Sequence, residues 1–178
     1  MPEQQRRSVD TLSLKKSGTP SLKELKSTPG FPPGKILEMG PLAVIECVQE
    51  IPCNPCETAC PQGAIEVGSP ITRLPVLKAE DCVGCGLCVA ACPGLAIYIK
   101  DYTYEPERAL ITFPFEYLPL PGKGETVTMV NRLGEPVCPG EIVRVNRSRR
   151  NDRTTVISAA FDKRYFHEVV GMARMRRQ

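Results

Sequence analysis

Absences narrow this 178-residue sequence before any motif does. It has one histidine, His167, and shows no Ser–His–Asp set, no phosphate-binding glycine loop and no dinucleotide fingerprint. It therefore lacks recognisable machinery for making or breaking substrate bonds. No apolar run approaches the roughly 18–20 residues of a membrane span, so none is expected. No signal peptide is evident. The nine cysteines therefore read as metal-binding thiols of a reducing compartment, the cytoplasm, and not as a secreted disulfide framework. With 18 prolines and 14 glycines, long helices should be few and turns many. A net charge of only +3 does not by itself point to nucleic acid.

The distribution of charge is more informative than its sum. Residues 1–40 carry seven basic and four acidic side chains, residues 41–100 three and six, and residues 101–178 thirteen and ten. The cysteine-rich middle is thus the acidic part. This division predicts an extended arm over 1–40, a cysteine-bearing unit over 41–101 and a β-rich unit over 102–178. The arm is broken by Gly18, Pro20, Pro29, Gly30, Pro32, Pro33, Gly34 and Gly40. Its one clear helical signal is Ser21 with Glu24 three residues on, a capping box. Leu22, Leu25, Phe31, Ile36 and Leu37 are apolar anchors that would let it lie as a strap on a partner or on its own core; otherwise it is a disordered tail.

The stretch Cys82-Val83-Gly84-Cys85-Gly86-Leu87-Cys88-Val89-Ala90-Ala91-Cys92-Pro93 organises the rest. It reads C-x2-C-x2-C-x3-C-P, a run used to hold iron–sulfur clusters. Two-residue gaps let three thiolates wrap one cluster from a tight loop. Gly84 and Gly86 give the backbone freedom to do so, and Pro93 stops the helix. A zinc site would more often show two C-x2-C pairs across a longer loop. At a constant offset of 32 residues, Cys53, Cys56, Cys60, Pro61, Ala59, Ala64 and Ile65 meet Cys85, Cys88, Cys92, Pro93, Ala91, Ala96 and Ile97. The middle is an internal repeat.

These residues resemble the bacterial-type 2[4Fe–4S] ferredoxin domain, over about sixty residues of the chain. The resemblance implies an α+β fold with a pseudo-twofold repeat and two [4Fe–4S] clusters as cofactors. It also implies crossed ligation, with one cluster held by Cys47, Cys53, Cys56 and Cys92 and the other by Cys82, Cys85, Cys88 and Cys60. Ile51, Val83, Leu87, Ala64, Ala96 and Ile97 are expected to wrap the clusters. One position departs from the family pattern, because the counterpart of Cys82 is Glu50. Cys47 can serve instead across a longer loop, Glu50 can ligate as a harder and poorer donor, or the first site can hold a three-iron cluster or none. Cys47 as a small buried hydrophobe on its strand is the bland alternative; Cys47 as ligand is favoured, because thiolate suits the cluster and the shift needs only a longer loop. Strands are expected at 42–48, 64–67, 76–78 and 96–100.

Beyond Tyr102, alternating or apolar runs at 109–117, 126–131, 141–146 and 153–160 predict a small antiparallel barrel or sandwich. A closing helix is expected from Asp162 toward Met175, with Phe166, Val169, Val170 and Met172 inward and His167 an ordinary helix residue. Cys138, in Val137-Cys138-Pro139-Gly140, reads as an incidental thiol in a turn. The arginines from Arg144 to Arg153 have no aromatics between them for base stacking. A solvated turn or a patch for an acidic partner fits better than a nucleic-acid site. The layout is also similar to the ferredoxin-like small subunits of flavin-dependent amino- or imino-acid dehydrogenase complexes. That resemblance implies an electron-transfer subunit, not catalytic alone, working with a flavoprotein dehydrogenase subunit in a hetero-oligomer. A free diffusible ferredoxin, and a sensor or catalyst with an incompletely ligated first cluster, are the alternatives.

Overall fold

The computed structural model describes residues 14–175. Three short helices open it: α1 (Leu14–Ser17), α2 (Leu22–Lys26) and α3 (Gly34–Leu37). Strand β1 (Leu42–Ile45) leads into α4 (Pro55–Thr58), β2 (Ile65–Glu66), β3 (Val76–Leu77), α5 (Leu87–Ala91) and β4 (Ile97–Asp101). The remainder is β5 (Arg108–Pro114), β6 (Thr126–Val130), β7 (Pro136–Asn146), β8 (Val156–Asp162) and β9 (Gly171–Met172). Helices and strands together make a mixed α+β chain.

Seven of these strands form one antiparallel sheet in the order β1-β4-β5-β8-β7-β6-β9, and β2 pairs with β3 in a separate ribbon. Strands β1 and β4 are buried on both faces, which is why they read as continuous apolar runs. Ala43, Ile45, Ile97 and Ile99 face the core that contains Cys56 and Cys88. Leu42, Val44 and Tyr98 face the larger core, with Ile111, Phe113, Met129, Ile142 and Phe161. The sheet curls so far that the β6–β7 turn meets its opposite end. Arg132 in that turn donates from Nε to both Glu46 carboxylate oxygens, at 2.9 and 3.1 Å. Tyr98 Oη also donates to Glu46.

The described part of the arm lies on the chain's own core. Ser21 and Glu24 form the expected capping box, which fixes one turn of helix and places Leu25 fully inside. Leu37 is buried as well. Between them the backbone at Gly30 accepts from Ile45 N–H at 3.3 Å, and Pro29 accepts from Leu77 N–H at 3.1 Å. The arm thus straps β1 to β3. A Cβ at Gly30 would meet Ile45 Cβ and the Pro75 carbonyl at 2.9 Å, so the close approach requires glycine there. The part of the expected arm over residues 1–13 lies outside the described residues.

Three expectations need correction. The C-terminal strands make no separate barrel or sandwich; they continue the sheet that begins with β1 and β4. The closing helix is instead one 3-10 turn (Lys163–Tyr165) followed by β9. Asp162 caps that turn by accepting from Arg164 N–H. Val170 N–H then donates to Val130 at 3.0 Å and Ala173 N–H to Thr128 at 2.8 Å, so the free edge of β6 outcompetes helix formation. Finally, Cys138 is in strand β7, opposite Met129, not in a turn. Pro139 is tolerated there because β8 pairs with β7 only from Gly140 onward, leaving no ladder partner for its missing N–H.

Candidate metal centre

The cysteines stand on loops and helix turns held by this framework. Cys47 follows β1, and the chain then runs through Cys53 to α4, where Pro55 takes the first turn and lacks only an N–H that the helix would not use. Cys56 lies in α4 and Cys60 just beyond it. In the second half Cys82 caps a 3-10 turn over Ala79–Asp81. Cys85 precedes α5, Cys88 is inside it and Cys92 is its C-cap. The first residues of α4 and α5, and of β2 and β4, are each 32 residues apart (87 − 55 and 97 − 65), the same offset as the sequence repeat. Helices α4 and α5 pack on each other. Gly84 and Gly86 both adopt positive φ, +64° and +79°. At Gly84 a Cβ would also strike Pro41 at 2.6 Å, so the tight wrap of the loop needs glycine.

Thiols from the two halves of the repeat act on one another. Burial, then the neighbouring thiols of Cys92 and Cys47, raise the Cys53 thiol above its ordinary value. Cys56 is pushed up to about 11, first by burial and then by Cys92, with Cys53 adding to it. Cys88 rises to about 12 through burial and then Cys82, Cys85 and Cys60. Cys53 and Cys56 thus have Cys92 of the other half near them, and Cys88 has Cys60. Glu50 is exposed, whereas Cys47 is half-buried and within electrostatic reach of Cys53.

This donor set suits a cationic polyatomic cluster. Burial and neighbouring thiols favour the protonated form of Cys53, Cys56 and Cys88, and binding iron would displace those protons. Among the described residues no three His, Cys, Asp or Glu side chains converge on a single metal ion. Two hydrogen-bond features agree. Ala96 N–H donates to Cys92 Sγ at 3.4 Å. Asn151, buried, has an amide Nδ2 without a partner, and it lines a groove with Gly84, Cys85 and Gly86. A sulfur-rich cluster at Cys85 would supply acceptors on that side.

The apolar surround is built differently from expectation. Ala64 and Ile97 are buried as expected, and Ala96 is half-buried. Ile51, Val83 and Leu87, by contrast, are 50%, 59% and 42% exposed. The covering comes from the sheet side, through Ala43, Ile45, Ile65, Val67, Val89 and Ile99, while the loops remain open. The continuous apolar reading of β1 and β4 was the signal for Ala43, Ile45 and Ile99. Cys85 is the exposed thiol among the eight, so the loop that carries it reaches the surface. Cys138 stays apart: it is buried in the larger core, and burial pushes its thiol up to about 11. His167 faces Glu38 at 3.4 Å. Nothing in the sequence marked Asn151 or Arg132.

The 4Fe-4S dicluster domain family matches residues 46–96, a segment that encloses all eight of these cysteines. The polyferredoxin-like subunit of an aliphatic sulfonate oxidoreductase from Pyrococcus furiosus is 48% identical over 48 residues, 27% of each chain. A subunit of an ion-translocating oxidoreductase complex from Methanosarcina acetivorans is 42% identical over 50 residues, 28% of this chain and 18% of that one. Protein Pixie of Drosophila melanogaster is 31% identical over 107 residues, 51% of this chain and 17% of that protein. The chain thus spans less than a third of the length of each of these relatives. No solved structure matches. Residues 46–96 are a 4Fe-4S dicluster domain of the ferredoxin type, a segment that carries two [4Fe–4S] clusters.

Proposed function

We propose that the chain is an electron-transfer subunit of a larger oxidoreductase, passing single electrons between a flavoprotein partner and another carrier. Cys47, Cys53, Cys56 and Cys92 hold one cluster; Cys60, Cys82, Cys85 and Cys88 hold the other. The observation that carries this reading is the 32-residue repeat, kept by α4 and α5, with eight cysteines inside the dicluster match; Cys92 acting on Cys53 and Cys56, and Cys60 on Cys88, supports the crossing. With four protein thiolates per cluster, no iron position is left for a substrate. When bound, each cluster takes up and gives back one electron. The chain's own residues set the conditions for that exchange. Ala43, Ile45, Val89, Ile97 and Ile99 keep water from the sheet side, and Ala96 N–H offsets negative charge at Cys92 Sγ. Crossing makes each cluster tie α4 to α5, so cluster loading is also folding energy for a region with little core of its own. Two relatives are subunits of oxidoreductases by name, which supports a hetero-oligomer.

The test is iron and sulfide content with EPR on anaerobically purified protein, beside Cys47→Ala and Glu50→Gln. About eight irons per chain are expected, at four per cluster, with two magnetically interacting reduced clusters. Cys47→Ala should convert one of them to a three-iron signal or lose it, and Glu50→Gln should change neither. Two intact four-iron clusters in Cys47→Ala would remove Cys47 from the ligand set. About four irons in the parent would refute the two-cluster relay.

A further inference from the structure

Strands β7 and β8 are joined by a turn that carries unbalanced charge. Arg144, Arg147, Arg149, Arg150 and Arg153 are all exposed, and none makes an ion pair with another described residue. Asp152 is the one acid from 144 to 153. Elsewhere Arg108 pairs with Glu105 and Glu141, and Arg164 with Asp162; the exposed Arg73 and Arg174 are also without an ion pair among the described residues, but each stands alone. Five arginines gathered on one turn with a single acid among them repel one another, and an acidic counterpart would relieve this.

The position of this turn gives it a role. Its 3-10 segment (Arg149–Asn151) packs against α5, and Asn151 and Arg144 line one groove with Cys85 and Leu87. Cys85 is exposed, and Val83 and Leu87 beside it are 59% and 42% exposed. An apolar rim around an exposed ligand, flanked by unpaired positive charge, has the composition of a transient redox interface: a small apolar centre for contact and a charged border for steering. The opposite class of partner, nucleic acid, would use these arginines on phosphates, but no aromatic lies between Arg144 and Arg153 for base stacking.

We infer that the arginine turn and the Cys85 rim together form the docking site of an acidic one-electron carrier protein, at the edge of the cluster held by Cys60, Cys82, Cys85 and Cys88. This rests on the electron-transfer reading above. In the step it implies, one electron leaves the reduced cluster and enters the oxidised carrier; no bond is made or broken and no proton moves.

The experiment uses anaerobic holoprotein and a strongly acidic [2Fe–2S] ferredoxin as probe. Stopped-flow transfer to the probe is compared for the parent and for Arg147→Glu/Arg149→Glu/Arg150→Glu across a range of ionic strength. These side chains are exposed, so folding should be preserved. The parent rate should fall steeply with salt. The variant should be at least tenfold slower at low salt, with a flattened salt dependence. Photoreduction of both clusters by deazaflavin should be the same in the two proteins. Equal rates and equal salt slopes overturn the docking site while the relay stands. Clusters that accept no electrons from deazaflavin overturn the relay and the docking site together. Tight, salt-sensitive binding of a single-stranded RNA oligomer that the variant loses, with no arginine dependence of transfer to the probe, assigns the turn to nucleic acid and overturns the proposal.

Discussion

Replacing Arg132 by methionine tests how far the first cluster site depends on distant strands. Arg132 belongs to the β6–β7 turn, and its partner Glu46 immediately precedes Cys47. The two side chains are only 7% and 14% exposed, and Tyr98 Oη donates to the same carboxylate. Burial opposes the charge on Arg132, but Tyr98 and Glu46 outweigh it and hold the guanidinium protonated. Removing one member of such a pair leaves an uncompensated buried charge, at a cost of about 3–5 kcal/mol. That is a large share of the roughly 5–15 kcal/mol that holds a domain folded. The solvent-screened pair Arg164–Asp162, at 79% and 37% exposure, is the internal comparison, because water already satisfies both of its charges. Urea unfolding of anaerobic holoprotein should therefore show a large loss for Arg132→Met and almost none for Arg164→Met. On air exposure Arg132→Met should also lose iron first from the foursome containing Cys47, seen as an early three-iron EPR signal. Adding Glu46→Gln should restore part of the stability, because it removes the stranded charge. An Arg132→Met protein as stable as Arg164→Met, with even iron loss from both clusters, would refute the coupling.

Lys100 gives a pH prediction. It is 2% exposed, its Nζ donates to the Phe166 carbonyl, and burial, then Arg132, lowers it to about 7. Between about pH 7 and the unfolded value near 10.4, the unfolded chain holds a proton that the folded chain has released. Stability from this group therefore rises with pH across that window, by about 1.4 kcal/mol per unit. In Lys100→Met this contribution is absent, so the variant's advantage over the parent should shrink by about that slope when both are unfolded in urea at successive pH values. A pH-independent difference would place the lysine charge in water. Asn151→Leu should remove the buried donor beside Cys85. The cluster proposed at Cys60, Cys82, Cys85 and Cys88 should then become harder to reduce, by the worth of one hydrogen bond, about 1 kcal/mol, in an EPR-monitored redox titration. An equal shift in both clusters, or none, would show that the amide faces elsewhere.

Much of the framework was legible because its signals are local. Eight runs of alternating or apolar residues became β1 to β8, and the Ser21–Glu24 pair became a cap. The repeat offset of 32 reappeared in α4 and α5 because cluster spacing constrains backbone and sequence alike. The failures occur where long-range pairing overrides local preference. Phe166, Val169, Val170 and Met172 fit a helical period, yet the edge of β6 recruits Val170 and Ala173, as suits two β-branched valines before a glycine. Pro139-Gly140 looks like a turn, but Met129 packs where a Cβ on Gly140 would stand, with its sulfur 2.5 Å away. Arg132 and Asn151 were invisible for the same reason. Each acts on a loop 85 or 66 positions away in the chain (132 − 47 and 151 − 85), and nothing in its own neighbourhood announces the partner.

Strand β4 explains why the cluster loops and the C-terminal strands occur in one chain. Its side chains alternate across the sheet, with Ile97 and Ile99 against the core that contains Cys56 and Cys88 and Tyr98 and Lys100 on the other face. A sheet of β1 and β4 alone would leave Leu42, Val44 and Tyr98 without cover, and so would expose the back of the strands that carry the cluster loops. Minimal cluster-binding units compensate for a small core with the metal itself. Here β5 to β9 close over that back face, and the Arg132 turn reaches around to fix the residue before Cys47. The same strands deliver the arginine turn to the rim at Cys85. Support for one cluster loop and charge beside the other are therefore consequences of a single sheet curling on itself.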